Sequence, residues 1–586
     1  MRSFGNISGA APLALLLAVL TGPPLARAAE PARVAQMDGE ELDFGDEGIV
    51  DVTGGASAPS ENGDEDEVLD FGDAGFKDVT GTESGDGSGT AGDEEELDFG
   101  DEFASRDAAT TPPSAFERWV DDMRAGFEPK LASYRGFLIT ELAVDTHKDN
   151  DEENLLYSRN RVFFETTLSF TSRIKTVVSA RGEYGVARGG EPNTDAEFDL
   201  YEAYADFDLG DVGPGRLYVR VGKQINAWGG AAFFSPNDLL NPYDADGFID
   251  LDPQDLRIPI FMARVDYNIS PFNVQFVYIP FFEPMRFDRF GTDFSIIQPG
   301  TPPATLFGDL FGDLDPETRN LLQPLYFTLD RPKNNFSTGE IGMRFSGSVG
   351  SLDFGLSFLH TRRDFPALET TFLPFDDAIL GGAIPTGLRG SFPRQNEWGL
   401  DLAYATSGWT FKAEANLTDK SRVNVERRIT LTALPGILNI PLLDITTVGS
   451  RSQPGINLLV GAEYLIDSNT QSIVSFELLD RMIRGRTRDL IAQHEHTVTS
   501  TFIYRGSYWE ERIQPELRWI QVWNDGSFFL TPKLSYVHNG WLTVGVGANI
   551  IEGKRPSFDF LFPSGGDLLG IFDNLDQVFV QVKVNF

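Results

Sequence analysis

The sequence predicts an all-β protein: a transmembrane antiparallel β-barrel of about eighteen strands, with sixteen as the alternative, behind a disordered acidic N-terminal tail. The barrel, predicted over residues 133–586, is indicated by repeated segments of ten to fourteen residues with an apolar residue at every second position. Connections that alternate between tight turns and long loops indicate it as well. An acidic composition indicates that the N-terminal tail is disordered.

The last segment, QVFVQVKVNF, shows the alternation most clearly, because it separates one apolar face from one polar face. The apolar face holds Val578, Val580, Val582, Val584 and Phe586. The polar face holds Gln577, Gln581, Lys583 and Asn585. A soluble β-sandwich would show the same pattern. A membrane barrel is favoured because the polar faces carry charges of both signs, as a lumen does, and the apolar faces end in aromatic residues, as at membrane interfaces.

Eighteen segments carry this pattern, so both chain ends fall on the side of the tight turns. The segments begin near Ser133, Leu156, Lys175, Glu197, Gly215, Pro259, Pro271, Phe336, Ser351, Asn396, Trp409, Gly455, Gln471, His496, Arg512, Gly526, Trp541 and Asp576. Long loops are predicted at about 228–257, 284–335, 364–395, 420–454 and 553–574, and a short link at 524–526. Eighteen strands are wide enough to leave a channel.

The N-terminal part divides into three segments. Residues 1–28 resemble a secretory signal peptide, with an apolar run from Ala11 to Leu20 and a small-residue cleavage site at Ala26 and Ala28. Residues 29–113 are predicted to be disordered, since residues 30–113 hold 26 Asp and Glu against three Lys and Arg. Residues 114–132 are predicted to form a short amphipathic helix. The net charge of −40 argues against nucleic-acid binding.

The most distinctive stretch of the barrel is residues 216–244, RLYVRVGKQINAWGGAAFFSPNDLLNPYD. It resembles a family of proteobacterial outer-membrane barrels, mostly of unknown function, whose shared element is Gly-(Lys/Arg)-Gln, then Trp-Gly, then Ser-Pro-x-Asp-(Leu/Ile)-x-Asn-Pro. Barrels of the alginate-export type are distantly similar. The residues that fit are Gly222, Lys223, Gln224, Trp228, Gly229, Ser235, Pro236, Asp238, Leu239, Asn241 and Pro242. The resemblance implies that a solute, polymer or apolar compound passes through the outer membrane.

This stretch is predicted to fold inward as a constriction loop, because its prolines end strand pairing and its glycines permit a sharp bend. Packing on the extracellular rim is the alternative. The predicted loop residues are Gln224, Trp228, Gly229, Ser235, Pro236, Asp238, Asn241, Pro242 and Asp244. Charges predicted to face the lumen are Arg181, Glu183, Arg220, Glu340, Arg344, Glu516, Arg518 and Lys533. They either set selectivity or pair across the lumen.

No catalytic set, cofactor motif or metal-ligand spacing is found, so the chain is not expected to be an enzyme. The sequence is consistent with two alternative functions. The first is a transport barrel in the outer membrane of a Gram-negative bacterium, with its tail in the periplasm. The second is a non-conducting anchor for a multi-protein export or motility machine. Expected partners are outer-membrane lipid, a periplasmic protein that binds the tail, and the barrel-assembly machinery, which would read the terminal strand ending in Phe586.

The pentapeptide LDFGD occurs three times in the tail, about 27 residues apart. Each copy offers a Leu and a Phe in an acidic frame: Leu42 and Phe44, Leu69 and Phe71, Leu97 and Phe99. Stacking as a solenoid is disfavoured, because each repeat lacks a continuous apolar face. The repeats are predicted to be linear partner-binding motifs whose linkage gives avidity; duplication without a binding role is the alternative.

We expect the triple variant F44A/F71A/F99A to lose capture of a periplasmic partner while the barrel still assembles, because only the apolar anchors of the three motifs are removed. The measurement is co-purification of periplasmic proteins with a tagged fragment of residues 30–113. Capture equal to that of the unmodified fragment would contradict the motif prediction.

Overall fold

The computed structural model describes residues 130–146, 155–187, 193–245, 256–287, 327–373, 380–381, 384–433, 440–467, 472–491, 493–555, 557–559, 562–564, 569–573 and 575–586. Across these ranges there are 24 β-strands and two short 3-10 helices. None of the helices in the described part is long and apolar enough to span a membrane. The predicted signal peptide, the tail with its repeats, and residues 114–129 of the predicted helix lie outside the described residues.

Eighteen strands pair into one closed antiparallel barrel. In chain order the barrel strands are β1 Lys130–Asp145, β2 Leu155–Thr171, β3 Ile174–Ala187, β4 Asn193–Val212, β5 Gly215–Gln224, β6 Ile260–Ile269, β7 Phe272–Ile279, β9 Glu340–Val349, β10 Leu352–Arg362, β14 Arg394–Thr406, β15 Trp409–Ala433, β16 Ile440–Asp467, β17 Ser472–Ile483, β18 His496–Arg505, β19 Ile513–Val522, β20 Ser527–Asn539, β21 Leu542–Glu552 and β24 Gln577–Asn585. The predicted fold class and strand number are confirmed.

The first and last barrel strands close the ring. β24 pairs with β1 from Asn585 opposite Phe137 to Gln577 opposite Asp145. At the end of the chain, Phe586 and Gly136 exchange two backbone hydrogen bonds of 2.8 and 2.9 Å. The barrel begins and ends on the same side, which is the side of the short turns. The long loops lie on the opposite side.

The outward face is apolar and exposed, which excludes the β-sandwich alternative. On β24, Val578 and Val580 are 42% and 46% exposed, whereas Gln577 and Lys583 are buried. A sandwich would bury the apolar face instead, so this inversion is typical of a barrel surrounded by lipid. Exposed aromatic residues near the tight turns form an interfacial band: Tyr134, Tyr404, Trp409 and Trp541.

Two strands are much longer than predicted. β15 and β16 remain paired through Ala433 opposite Ile440, so the predicted loop at 420–454 is wrong for all of its described residues. The strands continue here because Val423 and Val425 keep the alternation with a period of two and are buried. Charged neighbours interrupt the apolar pattern, which is why the sequence was interpreted as a loop. At 3.3 Å per residue, the pairing from Ser421 to Ala433 adds roughly 40 Å of strand length beyond the barrel wall.

Other predicted loops also contain short strands, which pair outside the barrel wall, either with one another or, for Leu380–Gly381, with the extension of β15. They are β8 Phe327–Asp330, β11 Ala367–Leu373, β12 Leu380–Gly381, β13 Ile384–Ser391, β22 Ser557–Asp559 and β23 Phe562–Ser564. The 3-10 helices are Phe336–Thr338 and Leu569–Phe572. The predicted strand start near Phe336 is therefore four residues early. Residues 130–132 of the predicted amphipathic helix are part of β1, because they pair with β2.

Placing a charge on the outward face should destabilise the barrel much more than placing it on the inward face, one residue further along the same strand. Val580 lies near the middle of β24, so Val580→Arg should cost about 2–4 kcal/mol, the penalty for arginine at the bilayer midplane. The matched control is Gln581→Arg, which lies on the inward face where Gln581 already donates to Glu141. Urea unfolding in lipid vesicles measures both; equal losses would contradict the assignment of faces.

Candidate functional site: a loop across the lumen

Residues 225–245, called the crossing loop below, leave the end of β5 and fold back toward β6. The loop contains no strand, so side chains must satisfy its buried backbone groups. Asn241 does this at the base: its Nδ2 donates to the carbonyl oxygens of Gln224 (3.2 Å) and Ile258 (2.9 Å), and its Oδ1 accepts from the amide of Asn226 (2.8 Å). Asn241 is fully buried. It therefore joins both ends of the loop to the barrel wall.

Two carboxylates hold the middle of the loop. Glu414 Oε1 accepts from the amides of Gly230 and Ala231, both at 2.8 Å, and its Oε2 accepts from the Ser235 hydroxyl at 2.6 Å. Glu477 accepts from the amides of Ala232 (2.5 Å) and Phe233 (3.3 Å). Four consecutive backbone donors thus meet two carboxylates that are 4% and 2% exposed. A hydrogen bond to a charged group contributes about 1.5–3 kcal/mol, and losing it leaves buried groups unsatisfied.

These carboxylates lie far around the ring from where the loop begins. β5 is the fifth of the eighteen barrel strands, β15 the eleventh and β17 the thirteenth. The loop therefore leaves one wall and is bound by strands that lie six and eight positions further around the ring. Glu414 and Glu477 are the inward residues of their strands, since the neighbouring Phe411 and Phe476 are exposed on the outer face.

An aromatic residue fixes the first half of the loop. Trp228 is 3% exposed and donates from Nε1 to Gln275 Oε1 at 2.6 Å; Asn226 donates to the same oxygen at 3.0 Å. Around it lies an apolar cluster of inward side chains from β6, β7 and β10, with Leu240 from the loop itself. The cluster contains Trp228, Leu240, Ile260, Met262, Val277, Ile279 and Leu359.

A second apolar cluster receives the tip of the loop. Phe233 packs among inward side chains of β1, β2, β18 to β21 and β24, and Phe234 stacks edge-on against it at 4.4 Å. The buried members are Ala143, Tyr157, Phe233, Ile503, Ile520, Phe529, Ile551, Phe572, Leu575 and Phe579. The 3-10 helix Leu569–Phe572 contributes to the same cluster. Inward positions on these strands are apolar because the loop and this helix cover them.

The second half of the loop is held by ion pairs. Asp238 is 3% exposed and accepts from Arg257 Nε at 2.6 Å and from the Tyr243 hydroxyl at 2.9 Å. Burial, followed by the charge of Asp238, raises the pKa of Tyr243 well above its ordinary value. The phenol therefore stays protonated and remains a donor. Asp244 lies 3.9 Å from Arg286.

The structure brings all nine predicted loop residues together. Seven are buried, namely Gln224, Trp228, Pro236, Asp238, Asn241, Pro242 and Asp244, and two are half-buried, namely Gly229 and Ser235. Gln224 donates to the carbonyl oxygen of Met262 at 3.0 Å. Their role as a constriction stays a prediction.

The eight predicted lumen charges all lie on barrel strands, and each contacts other groups along the wall. Glu183 pairs with Arg159 (2.9 Å) and Arg161 (3.4 Å), and Arg220 pairs with Asp206 at 2.6 Å. Arg344 of β9 pairs with Asp401 of β14, with β10 between them, and Arg518 pairs with Glu516 within β19. The remaining contacts join adjacent strands: Arg505 pairs with Glu516, Lys533 lies opposite Glu516, Glu340 accepts from Thr361 and the Arg362 amide, and the Arg181 guanidinium lies over the Tyr201 ring. The contacts described run along the wall, and a role of these charges in selectivity stays a prediction.

Three residues that anchor the loop were missed by the sequence analysis: Gln275, Glu414 and Glu477. A signal was present for Glu414, because the period of two places it inward together with Lys412, Asn416 and Thr418. Nothing in a single sequence distinguishes an inward carboxylate that binds a loop from one that faces water.

A family model describes most of the barrel. Residues 175–586 match a protein family of unknown function, DUF1302. The chain belongs to the DUF1302 family. The match includes the crossing loop of this DUF1302 barrel, while the shared loop motif and the likeness to alginate-export barrels stay predictions. No curated protein matches the chain.

Solved structures that resemble this DUF1302 barrel are bacterial porins of low sequence identity. The Salmonella typhi OmpF complex with daunomycin shares 11% identity over 79% of this chain and 99% of the porin, with a TM-score of 0.33. An anion-selective porin from Comamonas acidovorans shares 12% identity over 78% of this chain and 100% of the porin, with a TM-score of 0.32.

Adjacent glycines in the crossing loop offer a matched test of its anchorage. Gly229 has φ = +94°, and a Cβ there would lie 2.0 Å from Ser235 Oγ and 2.9 Å from Glu414 Oε2. Gly229→Ala should displace the loop, since it combines a left-handed backbone with a clash at the carboxylate. Gly230→Ala meets nothing within 4 Å and serves as the control.

Limited proteolysis of the folded barrel measures the effect. We expect cleavage within residues 225–245 to be about tenfold faster in Gly229→Ala, the equivalent of about 1.4 kcal/mol of lost anchorage. Gly230→Ala should match the unmodified protein. Equal cleavage rates in both variants would show that the Glu414 contact does not hold the loop.

Proposed function

We propose that this protein is a transport channel of the outer membrane in which the crossing loop narrows the lumen. A strand-free segment that leaves β5 is bound by Glu414 on β15 and Glu477 on β17, six and eight strands further around the ring. This one observation carries the proposal, because a segment anchored on both walls lies in the path of any solute. The exposed apolar outer face and the closed ring support placement in a membrane.

The contacts favour a fixed constriction over a freely moving one. The loop is attached at its base by Asn241, on one side by Trp228, in the middle by the two carboxylates, and at its tip by Phe233. Solutes would pass beside it, along walls whose charges are paired with neighbouring strands. Paired charges produce little net field, so we propose that the wall discriminates mainly by size.

The acidic tail supports an accessory role in this proposal. Three copies of LDFGD on a tail of net charge −23 would recruit a periplasmic protein to the barrel. The alternative function, a non-conducting anchor for an envelope machine, uses the same tail but needs no passage through the lumen. Ion conductance therefore separates the two proposals.

Planar-bilayer recordings of the full chain test the channel. Deletion of residues 228–244 should raise single-channel conductance several-fold, because the segment that crosses the lumen is removed. E414Q/E477Q should raise it to a smaller extent, since an amide keeps one acceptor oxygen but loses the charge that strengthens these bonds.

The matched control is Glu463→Gln, an inward carboxylate on the intervening strand β16 that pairs with Lys412 rather than with the loop. It should leave conductance near that of the unmodified protein. A barrel that shows no conductance either intact or after the deletion would favour the anchor.

A further inference from the structure

The described segments hold one strongly basic region, on the long-loop side of the barrel where β15 and β16 extend beyond the wall. Three segments meet there, residues 421–428, 448–453 and 484–491. Together they contain seven arginines and two acidic residues, Glu426 and Asp489, a local excess of five positive charges in a chain of net charge −40. Five of these arginines are called the arginine cluster below: Arg427, Arg451, Arg484, Arg486 and Arg488.

The region is held in one conformation by backbone contacts. Three backbone hydrogen bonds fasten the segment 484–491 to the hairpin: Arg484 N donates to Pro454 O (2.9 Å), Glu426 N donates to Asp489 O (2.7 Å) and Ile491 N donates to Asn424 O (3.1 Å). Arg451 adds a two-point ion pair to Asp489 at 2.7 and 2.9 Å. The arginines are therefore presented on a fixed support, which lowers the entropy cost of binding a ligand.

The cluster lies on the lumen side of the hairpin. Asn457 of β16 faces the lumen, where its Nδ2 contacts Asn416 at 3.2 Å. Gln453 and Arg451 follow on the same side at intervals of two, and Gln453 and Arg451 both donate to the carbonyl oxygen of Arg486. Arg427 lies across Gly449 on this side too. The segment that carries Arg484, Arg486 and Arg488 thus covers the continuation of the inner wall.

The guanidinium groups outnumber the carboxylates that they contact. Asp489 accepts from Arg451 and Arg486, whose side chain remains 73% exposed. Arg427, Arg484 and Arg488 are exposed, and within the described residues Arg484 and Arg488 form no ion pair. Arginine binds carboxylate and phosphate groups through two parallel hydrogen bonds, so exposed neighbouring guanidinium groups suit an anionic ligand.

Two further arginines extend the positive region toward the crossing loop. Arg481 of β17 lies over the Phe234 ring at 5.7 Å. Arg363 follows the end of β10, and burial, followed by the charge of Arg481, lowers its pKa to about 10. Arg481 therefore places a positive charge beside the tip of the crossing loop, below the arginine cluster.

We propose that the arginine cluster is a binding site, at the long-loop mouth of the channel, for the carboxylate or phosphate group of a small anionic solute. The site rests on the proposed channel function, because it would receive the solute before it reaches the crossing loop. The ligand is a small solute rather than a polyanion, since the wall below carries paired charges of both signs.

Two measurements on the full chain test the site, with citrate and inorganic pyrophosphate as probes. Isothermal titration calorimetry in detergent should show binding that R484A/R486A/R488A weakens by about tenfold or more, because three of the five guanidinium groups of the cluster are removed. Raising the salt concentration should weaken binding in the unmodified protein. The control R389A/R555A removes two exposed arginines of other external segments and should bind like the unmodified protein.

In planar bilayers under a KCl gradient, the triple variant should shift the reversal potential toward cation preference, and the control should not. Conductance that persists with neither a shift nor a loss of binding would overturn the site while leaving the channel intact. Binding that is lost in the triple variant of a non-conducting barrel would support the site and overturn the channel. Equal weakening in the triple variant and the control would show that binding depends only on the net charge of the protein, and would overturn the site.

Discussion

The arrangement of the lumen depends on two buried carboxylates that accept hydrogen bonds from four consecutive backbone amides. A strand-free segment inside a barrel has no neighbouring strand to satisfy its peptide groups, and unsatisfied groups in a buried site are costly. Glu414 and Glu477 supply the acceptors for residues 230–233, and the loop in return satisfies carboxylates that would otherwise be buried without donors. The carboxylates and the loop amides therefore make each other's burial possible.

Once the middle of the loop is fixed, the composition of the inner wall follows from it. Strands covered by the loop or by the 3-10 helix carry inward apolar residues such as Phe529 and Met262, in contrast to the polar wall expected of a water-filled barrel. Strands β2 to β5 keep inward charges, and these alternate in sign between neighbours, as with Arg161 and Glu183. The inward apolar residues therefore lie where the loop or the helix packs against the wall. The inward charged residues lie on the part of the wall that the described loop residues do not cover.

Sequence alone predicts much of this fold because a period of two is a strong local signal. Seventeen of the eighteen strand starts lie within four residues of their predicted positions, and β16 is the exception. There the strand continues past the membrane, where no lipid requires an apolar face, so charges such as Arg427 and Arg428 conceal the strand. The loop residues were predictable because Pro, Gly, Asn and Asp have intrinsic turn preferences. Their acceptors on β7, β15 and β17 were not, because those contacts span up to 245 residues of chain.

The most direct measurement is chemical cross-linking of Ser235 to Glu414, two side chains whose oxygens lie 2.6 Å apart. The chain contains no cysteine, so S235C/E414C provides a single reactive pair, and in this variant Glu477 still accepts from the amides of Ala232 and Phe233 and holds the loop. A short bis-maleimide applied to the assembled barrel should join the two positions efficiently, seen as a mobility shift after unfolding, and should do so far less when the second cysteine replaces Glu463 on the adjacent strand. Equal cross-linking to both positions, or none to residue 414, would contradict a loop that is fixed across the lumen by these carboxylates.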